Sequence, residues 1–365
     1  MTISALADET VRQLGSPTAI TTAVDLVKEL LENAIDADAT SVEIRVSPNT
    51  VDRIDVRDNG TGICQDDWNS LGRPAHTSKI ASLEDLRNLG GNTLGFRGQA
   101  LASANMLGKV NVITRTAEDS TAMLLKLFFG TGGVESQQCA SAPVGTTVSV
   151  RGLFNCLPVR EQITIKEASK NIARIKQLLF TYALARPQLR LSFKILGEEN
   201  RQSWTYSPRP QATVKEAVIQ IFGAELMSRC LIHTACSNPD GKDDTPGHGK
   251  DKLAIEAVLP RLGSDYSKIS KGSFFSVDSR PLSTERGTMK KLLAVFTSHF
   301  SNSMDRAHVH KPLRNPFICV NIKCSSGSYD ANIEPSKNEA LFANESELID
   351  LFGCLCSDVY QEEVS

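Results

Sequence analysis

Apolar residues recur with helical spacing over residues 21–36, where Val27, Leu30, Leu31 and Ala34 stand at i, i+3, i+4 and i+7; this stripe predicts an amphipathic helix. The pattern then switches to period 2. Ser41–Val46 and Val51–Asp58 alternate apolar and polar positions and are expected as strands. Further strands are expected over Lys109–Arg115, Met123–Phe129 and Thr146–Arg151, with a short helix over Gln99–Leu107. A long helix is expected over Lys166–Ala185, closed by Arg186-Pro187, then a hairpin of Leu189–Leu196 and Ser203–Tyr206. Ser207-Pro208-Arg209-Pro210 reads as a linker. Beyond it a helix from Thr213 to Phe222 precedes strands at Cys230–Thr234, Leu253–Leu259, Ser273–Val277 and Phe317–Lys323, with a helix at Glu285–Phe300 before the last of these. Closely spaced strands mixed with helices in both halves give an α+β class rather than a doubly wound parallel sheet.

At 365 residues the chain is long enough for two domains, with 41% hydrophobic and 22% charged residues. That balance excludes a disordered or fibrous chain. The net charge of -2 confines any nucleic-acid contact to local patches. Nine cysteines, an odd number without C-x-x-C spacing, read as free thiols of a reducing compartment rather than a disulfide or zinc framework. The first fifteen residues carry early acids and no long apolar run, so no signal peptide is expected, and no stretch has the length of a membrane span.

Three segments carry candidate chemistry. In the first helix, Glu29, Asn33 and Asp36 fall at i, i+4 and i+7 and form a polar stripe opposite the apolar one. Alone, the stripe reads as a solvated helix face. Under a pocket, a carboxylate there could take a proton from water and an amide oxygen could face Mg²⁺. In Ile54–Gly62, Asp58 shares the parity of Ile54 and Val56, so it is either a carboxylate at the edge of the core or part of an exposed Asp-Asn-Gly turn. As an acceptor it suits an exocyclic amine, with Gly60 and Gly62 allowing close backbone approach. In Leu89–Gly98 the glycines leave backbone N–H groups exposed before a helix, which is an anion-binding arrangement, although no Walker pattern is present.

Each segment is a weak signal by itself, but their order and spacing, followed by Gly145-Thr146-Thr147, resemble the GHKL ATPase superfamily. Within it the chain resembles the MutL family of DNA mismatch repair proteins, through Lys28–Asn33 (KELLEN), Arg57–Gly62 (RDNGTG), Thr77–Ile80 (TSKI), Gly95–Gly98 (GFRG), Leu157–Arg160 (LPVR) and Asn332–Lys337 (NIEPSK). The resemblance covers nearly the whole chain. Val11–Leu26 lacks the family's common Gly-Glu-Val and Arg-Pro signature and looks more like the eukaryotic postmeiotic-segregation branch. Two positions depart from the family pattern: Gln99 stands for Glu after GFRG, and Asp38 stands for Gly after the first helix.

The resemblance implies a Bergerat-type α/β sandwich over 1–210, a ribosomal-protein-S5-like α/β domain with transducer and DNA-binding roles over 211–345, and a C-terminal helix over 346–365. It implies that Glu29 is the general base, Asn33 the Mg²⁺ ligand, and Asp58 the adenine-reading carboxylate, with Thr147 in the supporting motif. Gly60 and Gly62 match the turn glycines, and Lys79 with Gly95, Phe96, Arg97 and Gly98 matches the lid over the phosphates. Lys337 matches a lysine reaching the γ-phosphate. The implied function is a slow, Mg²⁺-dependent ATPase working as a nucleotide-gated DNA clamp in mismatch repair, in the nucleus, paired with a MutL paralogue through a C-terminal domain outside this sequence. The alternative is a DNA-binding scaffold that binds nucleotide with vestigial hydrolysis. A chaperone of Hsp90 type is disfavoured by TSKI, LPVR and NIEPSK.

Double-stranded DNA is the expected macromolecular partner. Lys166, Lys170 and Arg174 recur at i+4 on the predicted helix, with Arg160 before it and Lys176 nearby. Arg280 is followed by Arg286, Lys290 and Lys291, then by Arg306, Lys311 and Arg314. Solvated helix faces would look the same. As a DNA surface, the absence of interleaved aromatics implies phosphate contacts indifferent to sequence.

Overall fold

The computed structural model describes residues 20–77, 79, 93–95, 98–198, 203–237, 253–262, 268–306, 315–325, 327–331 and 338–361. The Ser237–Asp251 loop beyond its first residue, the NIEPSK segment with Lys337, Phe96, Arg97, Lys311 and Arg314 lie outside them. The described chain forms two units, one of residues up to Leu179 with Leu189–Ser207, the other of Phe180–Gln188 with the residues from Pro208 onward. The division falls inside the Ser207–Pro210 stretch.

The first unit begins with helix α1 (Ala23–Asp36). Thr22 opens it with a capping box, accepting from Asp25 N while the Asp25 carboxylate accepts from Thr22 N at 2.9 Å. Ala23, Leu26, Val27, Leu30, Leu31, Ala34 and Ile35 are buried along one face. At about 1.5–3 kcal/mol for each fully buried large aliphatic side chain, this stripe outweighs intrinsic propensity in holding the helix. Strands β1 (Ser41–Val46) and β2 (Arg53–Asp58) follow. After helix α2 (Ala100–Leu107) come β3 (Lys109–Arg115), β4 (Ala122–Leu127), β5 (Val134–Ala140) and β6 (Gly145–Arg151). Helices α3 (Pro158–Lys166) and α4 (Ala168–Ala185) lead to β7 (Arg190–Ile195) and β8 (Trp204–Tyr206). The strands form one eight-stranded sheet in the order β5-β4-β3-β6-β2-β1-β7-β8, antiparallel except for the β1–β7 pair. Helix α1 packs on β1, β2 and α2. Val42, Ile44, Val46, Ile54, Val56, Val110 and Val112 are buried beneath the helical layer.

The second unit holds α5 (Val214–Phe222), α6 (Ala224–Ser228), β9 (Cys230–Cys236), β10 (Ala254–Pro260), β11 (Ser273–Val277), β12 (Arg280–Leu282), α7 (Gly287–Arg306), β13 (Ile318–Lys323), the short β14 (Tyr329–Asp330) and β15 (Leu341–Phe342), and α8 (Glu345–Gln361). Its five-stranded sheet runs β12-β11-β13-β10-β9, with β11 and β13 parallel. Phe275, Phe296, Phe300, Phe352 and Tyr360 share one core. Helix α8 belongs to that core: Leu348, Phe352, Leu355 and Val359 are buried, and Tyr360 Oη donates to Pro260 O at 3.0 Å.

The α+β class therefore holds, with two differences in detail. The expected helix over Lys166–Ala185 is two helices broken at Glu167, whose backbone at φ -96°, ψ 12° closes α3. Lys166 thus ends one helix, whereas Lys170 and Arg174 lie on the next. Strand β5 escapes the sequence because its polar edge buries almost nothing and shows no alternation of hydrophobicity. All nine cysteines are free, and burial pushes the Cys230 and Cys356 thiols up to about 12, which keeps them protonated.

Candidate active site

Asp58 closes β2 on the face of Ile54 and Val56, and it is no exposed turn residue. Its Oδ1 accepts from Gly60 N at 2.8 Å and from Thr146 N at 3.0 Å. Burial pushes the carboxyl above its ordinary value, and the two N–H bonds pull it back. Both bonds of this carboxylate among the described residues fall on Oδ1, so Oδ2 is the atom that can accept from a ligand. The β2–β6 register pairs Arg57 with Thr147 and sets Thr146 beside Asp58. Strand alternation then sends the Thr147 side chain to the opposite face of the sheet. This corrects the expectation at Thr147: Thr146 is the residue in contact with Asp58, and its hydroxyl lies 3.5 Å from Thr114 Oγ1. Thr114 Oγ1 in turn accepts from Ile63 N at 2.8 Å.

The segment after Asp58 docks on the end of α1. Asn59 Oδ1 accepts from Thr40 N and Ser41 N at 3.0 and 2.8 Å, and Thr61 N donates to Ala37 O at 3.0 Å. Packing alone demands glycine at 60 and 62. A Cβ on Gly60 would lie 2.5 Å from Ala37 O, and one on Gly62, at φ 79°, would lie 2.3 Å from Arg115 O. Asp58 is thereby held beside the same end of α1 that carries Asn33 and Asp36.

Asp36 is the hub of that end. Its carboxylate accepts from Leu94 N at 2.7 Å, Gly95 N at 2.8 Å and Lys79 Nζ at 2.6 Å. Lys79 Nζ also donates to Asn33 Oδ1 at 2.9 Å. Glu29 lies one turn before Asn33 on the same helix, half-buried. The sequence placed Asp36 in the polar stripe and gave it no role; its signal was the helical spacing from Asn33. Asn33 offers a neutral oxygen that already accepts from a cation, which is the hard donor Mg²⁺ takes, so the residues present fit that ion. Gly98 is half-buried at φ 62°. Gln99 is exposed at the start of α2.

The basic candidates divide. Lys166, Lys170, Arg174 and Lys290 are exposed. Lys170 pairs with Glu167 at 3.2 Å, and the Arg160 guanidinium lies over the Phe154 ring at 5.5 Å. Arg280 is 2% exposed. It opens β12 on the same face as the buried Leu282, so strand parity turns it to the core and the expectation of a solvent-facing patch fails there. No described helix is long and apolar enough to cross a membrane.

The family described as histidine kinase-, DNA gyrase B-, and HSP90-like ATPase matches residues 21–144. The chain is 32% identical over 352 residues to PMS1 protein homolog 1 of Homo sapiens, covering 93% of this chain and 34% of that protein. It is 28% identical over 369 residues to mismatch repair endonuclease PMS2 of Homo sapiens, covering 98% of this chain and 41% of that protein. It therefore spans 34% and 41% of these two relatives. A solved structure described as the N terminal domain of a DNA repair protein matches with a TM-score of 0.76 at 25% identity, covering 97% of this chain and 98% of that one. The Aquifex aeolicus MutL ATPase domain complexed with ADP shares the fold, with a TM-score of 0.54 at 20% identity over 90% of this chain and 96% of that one.

Proposed function

The chain belongs to the MutL family of GHKL ATPases, and from that premise we propose that it binds ATP with Mg²⁺ and hydrolyses it slowly to gate a clamp on double-stranded DNA. The observation that carries the reading is the convergence of Asp58, Asn33 and Asp36 at one end of α1, with the backbone of Leu94 and Gly95 tied to it. Asp58 Oδ2 accepts the exocyclic amine of adenine, while Oδ1 stays fixed by Gly60 and Thr146. Glu29 takes a proton from the attacking water. Asn33 Oδ1 would hold a divalent metal ion, which when bound would neutralise phosphate charge. Lys79 and the glycine-rich segment cover the phosphates, and Lys337 reaches the γ-phosphate. Exposed Lys166, Lys170, Arg174 and Lys290 meet DNA phosphates. A MutL paralogue is the partner in the whole protein, and its place of work is the nucleus.

A second reading, nucleotide-bound scaffolding with vestigial turnover, is favoured by one observation: Gln99 puts a neutral side chain where the family carries an acid beside the phosphate segment.

Thermal melting tests the adenine assignment. ATP with Mg²⁺ at about 100 times its Kd should stabilise the protein by about 2.7 kcal/mol. Asp58→Asn should remove most of that shift, because the amine loses a charged acceptor. The nucleotide-free variant should melt no lower than wild type at pH 7. Its amide oxygen keeps both N–H bonds, and it escapes the desolvation that raises the folded-state pKa and costs stability once pH exceeds the unfolded value. An undiminished ATP shift in the variant would remove Asp58 from the site.

A further inference from the structure

Lys79 comes from the TSKI segment, yet its ammonium does not point at open space. It donates to Asn33 Oδ1 at 2.9 Å and to Asp36 Oδ2 at 2.6 Å. The Asp36 side chain is 3% exposed and that of Lys79 20%, so solvent screens this charge poorly. Gly95 closes over the group with its N–H on Asp36 Oδ2 at 2.8 Å. A Cβ at Gly95 would stand 3.0 Å from Lys79 Nζ, 3.3 Å from Asn33 Oδ1 and 3.3 Å from Asp36 Oδ2. The oxygen read above as facing a divalent ion therefore accepts from a cation of the chain itself, packed under the first glycine of the lid.

Resting on that reading of Asn33, we propose that Lys79 is a displaceable internal cation, whose ammonium holds Asn33 Oδ1 until a divalent ion expels it. A monovalent and a divalent charge a few ångströms apart in a half-buried, weakly screened pocket repel each other, so occupancy by one opposes the other. Asp36 keeps the Leu94 and Gly95 amides while its bond to Lys79 breaks. Release of the ammonium frees it for an anionic ligand at the moment the divalent ion arrives. Ion binding and delivery of Lys79 to phosphate are then one event, and Lys79 is a positioning residue that guards the ion site before nucleotide binds.

The test uses Mn²⁺ alone, without nucleotide, on the 365-residue protein, with free ion followed by electron paramagnetic resonance. Lys79→Met and Lys79→Gln should bind Mn²⁺ about tenfold more tightly than wild type, the scale of one lost charge-assisted hydrogen bond. Lys79→Arg, which keeps the charge, should stay near wild type. Adding Asn33→Ala to Lys79→Met should cancel the gain. Melting curves show whether each variant is folded, and the two neutral variants stand in for each other. An affinity unchanged or lowered in both, or a gain that survives Asn33→Ala, overturns the proposal. If Asn33→Ala abolishes nucleotide-dependent Mn²⁺ binding while the Lys79 variants show no gain, only the role of Lys79 fails. If Asn33→Ala changes Mn²⁺ binding neither with nor without nucleotide, the reading of Asn33 fails with it.

Discussion

Asp38 holds a left-handed backbone at φ 59°, the position where the family carries glycine. Its place explains why. Ala39 N donates to Ala34 O at 3.1 Å and Asp38 N to Ile35 O at 3.0 Å, the two bonds of a Schellman motif closing α1, with Asp38 as the residue beyond the cap. A Cβ is costly there, although Asp tolerates it better than most residues. Asp38→Gly should raise stability by about 0.5–1 kcal/mol, read as a higher urea midpoint at unchanged slope. A lowered midpoint would show that the aspartate contributes something the backbone does not reveal. The inward placement of Asp58 was legible from strand parity, and the shared helix of Glu29, Asn33 and Asp36 from helical spacing. Thr147 was misread because a motif match fixes a segment but not which of two adjacent strand residues faces the site; the β2–β6 register decides that. Asp36 went unassigned because its partners, Leu94 N, Gly95 N and Lys79, lie more than 40 residues away along the chain.

Elements with one buried face were the most legible, since only burial writes a period into sequence. The bounds of β1 and β3 match their alternation. The junction at Glu167 did not, because helical periodicity continues through a single residue of non-helical ψ. The consequence reaches the proposed DNA surface. Lys170 and Arg174 remain exposed on α4, Lys166 ends a different helix, and Arg280 is buried in the second unit. If the exposed lysines contact phosphates as proposed, affinity should fall steeply with salt. Lys170→Glu or Lys290→Glu should each reduce the log–log salt slope by about 1 for each lost contact, whereas Arg280→Ala should act through stability. Filter binding across a salt series decides between these: slopes unaltered in both lysine variants would return them to the solvated surface, where ion pairs such as Lys170–Glu167 contribute about 0–1 kcal/mol.

At the scale of the molecule, one boundary between the two units falls within the proline-rich Ser207–Pro210 stretch, whereas Phe180–Gln188 groups with the second unit, a division inside a helix that no break in periodicity marks. The helix set apart after residue 345 could not be assigned from sequence, since an amphipathic helix does not say which sheet receives its apolar face; it lies in the second unit's core. Lys337 tests whether the second unit takes part in the chemistry. Lys337→Ala should lower hydrolysis while leaving ADP affinity within about twofold, because a lysine on the γ-phosphate has nothing to contact in ADP; equal losses for ATP and ADP would give it a structural role instead. The claim on which all of this rests is that the site around α1 hydrolyses ATP with Glu29 as base. Single-turnover hydrolysis of radiolabelled ATP with Mg²⁺, with protein in excess so that binding is complete, measures it most directly. The wild-type protein should convert bound ATP to ADP, and Glu29→Ala should bind ATP but convert it about 10²–10⁴ times more slowly. Conversion by Glu29→Ala at the wild-type rate, or bound ATP left intact by the wild-type protein, would contradict the account.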